Sequence, residues 1–484
     1  MSSLAVRELY KTISKTKSHL VQSREIATTC VCPYLFKMSY PFGVSEGERD
    51  YLVANTVHDI MSLALPTTVL DNWHQGAKKE EWESIARTIE KDSESIVEKA
   101  IANAKEKIKT EEKASLPQGF NPQGFEYDVV YRLSGLLVGI AKRIMKDHEQ
   151  PKRAVTELTI SNVNEHHEGR LDAILEFDGC QYGVLDWKTN NMNQASTGGK
   201  DRWQLLSNIL LANFRYSGNE NNWTKFRFGA VVYYQNAYVP DLPIQQHWID
   251  KVKNDRKFAY ETLCGGRPYA QKPSFCPICD KGGESSSECQ FYRKDSRLAY
   301  EGKLPPEYAN IRRHLIKRRY LVLNERAETH KHKFVIQTMI NNLGEGPAFE
   351  ELRKAGIIHC NYRLDSINNN SITLVKPISE NDDNDDDIAV TFLEPRKVVR
   401  IIGKEERIPV LGCVNEKGFV KEVEGSKIRI DLDGSVAAER AKQQLSNVPI
   451  IIMPDEINLT RRVLEPMHRF HKLAAEVMLP SELL

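Results

Sequence analysis

The sequence lacks several features that would place it quickly in a class of protein. It has no apolar run of the roughly 18 residues that a membrane-spanning helix needs, so we expect no membrane association. It also lacks the GxxxxGK[ST] pattern of a phosphate-binding loop, which argues against a P-loop motor. The net charge is close to zero, because 67 basic and 66 acidic residues leave +1. This balance excludes a uniformly basic protein that coats nucleic acid.

Cysteine is sparse as well, and its distribution is uneven. Nine cysteines in 484 residues are too few for a disulfide-based fold. The N-terminal segment MSSLAVRELYKTISKTKSHL has no apolar core of the secretory type, so we expect a reducing compartment: the cytoplasm, the nucleoid or the nucleus. Three of the nine lie within fourteen residues, and in a reducing compartment such a cluster favours a metal site over a disulfide.

Hydrophobic periodicity divides the chain into parts, and its length predicts about three domains. Up to about residue 150 the pattern is helical, with a charged stretch at 78–114 that is typical of a solvated surface helix or arm. From 153 the order is β-β-β-α-β. We therefore predict an α/β fold, with a mixed sheet flanked by helices over 1–299, a basic helical connector over 300–354, and a β-barrel with a C-terminal helix over 355–484.

Two acids and a lysine fall on neighbouring predicted strands, GRLDAILEF and YGVLDWKT. Asp186 and Lys188 are two residues apart, so they face the same side of the sheet, and Asp172 lies on the preceding strand. Converging carboxylates can hold a hard divalent cation such as Mg²⁺ or Mn²⁺. A lysine beside them can orient a water and offset charge on a phosphate. An exposed polar face would give the same pattern without any chemistry.

Candidate metal ligands occur elsewhere too. His58 lies in an otherwise mostly apolar helical segment, where a histidine usually serves packing; as a ligand it would favour manganese over magnesium. Cys276, Cys279 and Cys289 offer three thiolates, and Cys32 is the obvious fourth. The spacing suits both zinc and an iron–sulfur cluster.

The order of the motifs along the chain resembles that of the RecB-like branch of the PD-(D/E)XK nucleases. The motifs are a CP dipeptide near the start, a histidine, GRLD, DWK, a helix that carries a glutamine, and CxxC…C. The members with an iron–sulfur cluster are the most similar, namely the CRISPR adaptation exonucleases and the nuclease domain of the eukaryotic replication nuclease-helicase. The resemblance covers residues 20–295. It implies a metal-dependent deoxyribonuclease with an iron–sulfur cluster of the 4Fe-4S type on Cys32, Cys276, Cys279 and Cys289. It also implies metal binding by His58, Asp172 and Asp186, and catalytic roles for Lys188 and Gln204.

The chain departs from this family at a few positions. Asn55 replaces a glycine, and Asp186 stands where many members have glutamate. Asn208 replaces a tyrosine, which weakens the assignment of a catalytic role to Gln204. The gap of nine residues between Cys279 and Cys289 is longer than common. Glu157 matches an acidic position whose role the resemblance leaves open.

By resemblance, the expected substrate is single-stranded or flapped DNA, in replication, repair or defence. The segment RRYLVLNER and the barrel are similar to parts that follow the nuclease in nuclease-helicases, and Arg312, Arg313, Lys317, Arg318 and Arg319 are candidate phosphate contacts. Without a P-loop, we expect a separately encoded helicase or repair complex as partner. A non-catalytic DNA-binding or scaffolding protein on a nuclease fold and an RNA-processing nuclease remain alternatives.

Overall fold

The computed structural model describes residues 18–31, 48–66, 79–110, 150–188, 200–233, 244–264, 330–377, 393–404, 414–432 and 434–455. Parts of 6–13 and 132–142 and single residues at 324 and 327 are also described. Within these residues the chain forms a mixed α/β unit and a separate closed β-barrel. The predicted α/β class and the predicted barrel are therefore confirmed at this level.

The α/β unit is built from five strands and five helices of the described chain. The strands are β1 (Val21–Gln22), β2 (Arg153–Asn162), β3 (His167–Glu176), β4 (Tyr182–Lys188) and β5 (Phe226–Tyr233). The helices are α1 (Ser23–Val31), α2 (Glu48–Ala64), α3 (Lys79–Thr110), α4 (Lys200–Ser217) and α5 (Gln246–Leu263). From residue 153 onward the observed β2-β3-β4-α4-β5 order matches the prediction.

The sheet is mixed, and β3 lies at its centre. β2 and β4 pair with β3 in antiparallel fashion, whereas β1 pairs with β3 and β5 pairs with β4 in parallel. Helices cover both faces, which explains why the strands are buried along most of their length. One face packs against α2, α3 and the helical segment 135–142, and the other packs mainly against α4.

The charged stretch is helical over residues 79–110, and this helix is not a free arm. It forms α3, a helix of 32 residues, and its thin apolar stripe is buried in the core that covers one face of the sheet. The buried residues of that stripe are Ile85, Ile89, Val97 and Ala100. Trp82, Ala86 and Ile96 pack against the same core while partly buried, so a thin apolar stripe is enough to dock the helix. None of the described helices is long and apolar enough to cross a membrane.

Six strands close the barrel in the order β10-β7-β6-β11-β8-β9, and every neighbouring pair is antiparallel. The strands are β6 (His359–Asn368), β7 (Ser371–Val375), β8 (Val398–Gly403), β9 (Val414–Glu424), β10 (Lys427–Leu432) and β11 (Ile450–Pro454). Two helices accompany them, α6 (Glu345–Lys354) before β6 and α7 (Ser435–Leu445) between β10 and β11. Alanines 437, 438 and 441 of α7 pack into the barrel core.

Two barrel elements were missed by the sequence prediction. β9 has the sequence VNEKGFVKEVE, whose many charges hide its apolar alternation, and α7 is short and rich in alanine. Within the range predicted to form the barrel, the segments IAVTFLE and RIPVLGCV also have a strand-like pattern, but they lie mostly outside the described residues, as do the last 29 residues.

Candidate metal and catalytic site

Three acids lie in a row across β2, β3 and β4. The pairs Thr156↔Ala173 and Leu158↔Leu171 flank Glu157 and Asp172, so these two acids stand opposite each other. The ladder between β3 and β4 ends at Ala173↔Leu185, one position before Asp172 and Asp186. Hairpin register therefore gathers one carboxyl group from each of three adjacent strands.

The backbone is irregular at this row. Glu157 has a φ of 55°, in the left-handed region that a non-glycine residue seldom adopts. On both strands the two-residue alternation breaks here, since Val155 and Leu158 pack in the same cluster, as do Leu171 and Ile174. A local irregularity of this kind re-aims side chains, and it is common beside functional sites.

Asp172 is anchored where β3 and β4 separate. Beyond Ala173↔Leu185, the amide of Trp187 donates to Oδ2 of Asp172 at 2.9 Å, so the aspartate side chain replaces a main-chain acceptor. The carboxyl group is thereby fixed at the end of the ladder, and its Oδ1 faces His58.

His58 reaches the acids from α2. Its Nδ1 lies 3.2 Å from Oε1 of Glu157 and 3.5 Å from Oδ1 of Asp172. The indole N–H of Trp187 points to the same Nδ1 at 3.1 Å. Protonated Nδ1 can donate to a carboxylate, whereas unprotonated Nδ1 can accept from Trp187 or bind a metal, so the role of this nitrogen depends on its proton.

These three residues form a candidate metal centre. Each of His58, Glu157 and Asp172 offers one ligand atom, and the three atoms lie within 4.8 Å of one another. Two carboxylates and one imidazole suit a hard divalent cation that tolerates nitrogen, such as Mn²⁺. The predicted ligands His58 and Asp172 are thus brought together. Glu157, whose role the sequence left open, completes the group.

Asp186 lies beside this group and is held from the other face of the sheet. It is fully buried, and its Oδ1 accepts from Nε2 of Gln204 at 3.3 Å and from Nδ2 of Asn208 at 3.5 Å. Its Oδ2 is ion-paired with Nζ of Lys188. Gln204 and Asn208 are one turn apart on α4, so both reach the same carboxyl group. Asn208, at the position where the sequence resemblance led us to expect a tyrosine, therefore contacts the acid.

The charges at the site are unevenly compensated. Burial and the nearby Asp186 raise the pKa of Asp172 to about 7, although His58 opposes the rise. Burial alone would lower the pKa of His58, but the carboxylates of Asp172 and Glu157 outweigh it and raise that pKa. Burial also opposes ionisation of Glu157, yet Arg170, with Nε 2.5 Å from Oε2, lowers the pKa of Glu157 to about 2.

A fourth acid, Asp201, lies near Lys188 and was not predicted. It is in the first turn of α4 and accepts from the Tyr233 hydroxyl at 3.3 Å, and Tyr233 pairs in register with Lys188. Burial raises the pKa of Asp201, while Lys188 lowers it. Lys188 therefore lies in the field of Asp186, Asp172 and Asp201, whose negative charges raise its pKa against the effect of burial. An acid in the first turn of the helix after DWK was the available sequence signal.

The predicted cluster ligands Cys32, Cys276, Cys279 and Cys289 lie outside the described residues, as do the basic residues from Arg312 to Arg319. The described helices nevertheless lead towards them. Cys32 directly follows α1, and α1 packs against α5 through Ile26, Val252 and neighbouring apolar residues. The segment that carries Cys276 begins after α5. The cluster thus stays a prediction.

No family model matches the chain, and a search of the curated proteins returned no match. Interpretation of the site therefore depends on its residues and their geometry.

Proposed function

We propose that this chain is a metal-dependent phosphodiester hydrolase that acts on DNA, with an α/β unit of the PD-(D/E)XK type. The observation that carries the proposal is the convergence of His58, Glu157 and Asp172 within 4.8 Å, next to the ion pair between the buried Asp186 and the partly buried Lys188. Carboxylates that can hold a cation, with a lysine beside them, are groups that serve the metal-assisted hydrolysis of a phosphodiester.

The residues divide into two roles. His58, Glu157 and Asp172 would hold a divalent cation, which supplies Lewis acidity and lowers the pKa of water when bound. Lys188 orients the attacking water or neutralises charge on the phosphate, while Asp186, Gln204 and Asn208 keep its ammonium group in place. Asp186 is close enough to affect the pKa of Asp172, so it also contributes negative charge to the cation site.

The alternative is a protein without enzymatic activity, namely a DNA-binding or scaffolding protein on a nuclease fold. A protein without catalysis would have no need to keep the partly buried Lys188 in an ion pair with the fully buried Asp186. It would equally have no need for a left-handed Glu157 opposite Asp172. A strained backbone and charges removed from water both cost folding free energy, and catalysis gives a reason to keep them, so they favour an enzyme.

The proposed cofactors and substrate extend beyond the cation. We propose that Cys32, Cys276, Cys279 and Cys289 bind an iron–sulfur cluster, with zinc as the alternative. The packing of α1 on α5 supports this. Cys32 follows α1 and the segment that carries Cys276 follows α5, so both cysteine-bearing segments continue from helices that are neighbours. Single-stranded or flapped DNA is the proposed substrate, and a separate helicase or repair complex the proposed partner.

Cleavage of end-labelled single strands tests the function. The purified chain should cut single-stranded DNA with Mn²⁺ or Mg²⁺, and EDTA should stop it. RNA of the same sequence in a parallel reaction tests the RNA-nuclease alternative. Lys188→Met should reduce cleavage at least about 100-fold. Lys152→Met, which changes an exposed lysine paired with Asp178, is the matched control and should cut normally. Normal cleavage by Lys188→Met would refute the assignment.

A further inference from the structure

Two polar side chains of the barrel domain reach the α/β unit close to the candidate metal centre. They are Arg440 and Gln444, one turn apart on α7. Nη1 of Arg440 donates to Oγ of Ser62 at 3.3 Å, and Nε2 of Gln444 donates to both O and Oγ1 of Thr156 at 3.2 Å. Their i, i+4 spacing places both on one face of the helix.

The two acceptors are neighbours of candidate ligands. Ser62 lies one turn after His58 on α2, and Thr156 immediately precedes Glu157 on β2. Oγ1 of Thr156 also donates to the carbonyl oxygen of Ser62 at 2.8 Å. A continuous set of hydrogen bonds therefore joins α7, α2 and β2 at the place where two of the three ligands originate.

The bond from Gln444 acts on the irregular part of β2. The carbonyl of Thr156 belongs to the peptide group that joins it to Glu157, and the φ of Glu157 is the rotation next to that group. A non-glycine residue at a φ of 55° keeps this conformation only when its surroundings enforce it. Gln444 fixes the orientation of this peptide group and thereby helps to keep the Glu157 side chain aimed at His58.

Arg440 is itself held rigidly by the barrel. Its side chain is 5% exposed, and its Nε and Nη2 bind the carboxylate of Glu416 on β9 at 2.6 and 3.3 Å. This pair uses two nitrogens of the guanidinium group and directs the third to Ser62. The contact with α2 is therefore made by a side chain whose position β9 has already set.

We propose that the barrel domain is a positioning element of the candidate metal centre, in which Gln444 and Arg440 hold β2 and α2 so that Glu157 and His58 can bind one cation with Asp172. The inference deepens the proposed function and depends on it for the identity of the site. Neither residue touches a reacting atom, so their effect should appear in metal affinity.

Mn²⁺ titration of the full chain by calorimetry, without nucleic acid, tests the idea. Gln444→Met keeps the side-chain length but removes the donor, and we expect Mn²⁺ affinity to fall about tenfold or more, as for other residues that orient metal ligands. Arg440→Lys, which keeps a charge beside Glu416, should weaken binding as well. Lys442→Met is the matched control, because Lys442 is 60% exposed on the same helix. At saturating Mn²⁺ the cleavage rate of Gln444→Met should return close to that of the wild type.

The outcomes separate the two levels of inference. Unchanged Mn²⁺ affinity in Gln444→Met would overturn the positioning role, whatever happens to thermal stability. A wild-type chain that binds no Mn²⁺ would overturn the metal centre and this inference together. A wild-type chain that binds Mn²⁺ but cuts no nucleic acid, with weaker binding in Gln444→Met, would overturn only the nuclease and uphold the positioning role.

Discussion

Replacement of Asp172 by asparagine should stabilise the metal-free protein and abolish its response to metal. Asp172 is buried opposite Glu157 and one position beyond the ladder to β4, with Asp186 close by. Its pKa is raised to about 7 by burial and by the charge of Asp186. Asparagine keeps an oxygen to accept from the Trp187 amide but carries no charge, so it removes the repulsion and retains the anchor.

The sign and size of the effect follow from the two pKa values. In the unfolded chain Asp172 loses its proton near 3.8, and in the folded chain near 7. Folding therefore takes up a proton between these values, and stability falls as pH rises through this window. Above pH 7 the penalty is up to about 4 kcal/mol, since each pKa unit corresponds to about 1.4 kcal/mol. The variant should avoid this penalty, with the largest gain at pH 8.

Differential scanning calorimetry in EDTA at pH 5.5 and pH 8 measures the gain. A folding unit of 150–250 residues shifts by about 2 to 4 °C per kcal/mol, so we expect the variant to melt several degrees higher at pH 8 and to differ less at pH 5.5. Mn²⁺ should then raise the midpoint of the wild type but not of the variant. Asp178→Asn, at an exposed acid after β3, is the control for an Asp-to-Asn change. A variant that melts below the wild type at pH 8 in EDTA would refute the reasoning.

Three further predictions follow from the site and the sequence. Mn²⁺ affinity should increase between pH 6 and pH 8, because the cation must displace protons from His58, whose pKa is raised, and from Asp172, with its pKa of about 7; a pH-independent dissociation constant in calorimetry would contradict this. Protein purified without oxygen should contain iron and sulfide bound by the four predicted cysteines, and alanine at Cys276 should lower iron content and stability together; stoichiometric zinc without iron would replace the cluster by a zinc site. The chain should hydrolyse no ATP and degrade blunt duplex DNA poorly compared with single strands, whereas robust digestion of blunt duplex by the chain alone would argue against a motor partner.

The part of the site that could be predicted from the sequence is local in the chain. Asp186 and Lys188 are two residues apart on one strand, so the two-residue period predicts that they share a face of the sheet, and the structure shows them ion-paired there. Asp172 lies on the preceding strand of the same hairpin, so its proximity required only the assumption of antiparallel pairing. Gln204 follows in the next helix, and its bond to Asp186 agrees with the expected place near the site.

The rest depends on packing between distant segments. His58 and Glu157 are 99 residues apart in sequence, and no periodicity shows that α2 crosses the sheet at that point. The left-handed φ of Glu157 breaks the alternation of side chains along β2, so counting residues along the strand would place the Glu157 side chain on the wrong face of the sheet. The contact of Arg440 with Ser62 spans 378 residues. Such pairings are fixed by tertiary structure, and the sequence showed only that acids and a histidine were available.

The three acids of the row differ in how their charge is balanced, and this difference indicates where a cation would act. Glu157 has Arg170 at 2.5 Å, and Asp186 has Lys188. Among the charged residues that the structure describes, His58 does most to favour the ionised form of Asp172, with a smaller effect of Lys188, and His58 becomes a cation only by taking up a proton. The charge of Asp172, at the centre of the row, is therefore balanced mainly by protons. Glu157 and Asp186, at its two ends, are each paired with a basic side chain. A divalent cation placed between His58 and Asp172 would replace those protons and restore the folding free energy lost at Asp172, so the stability of the α/β unit should be coupled to the proposed metal.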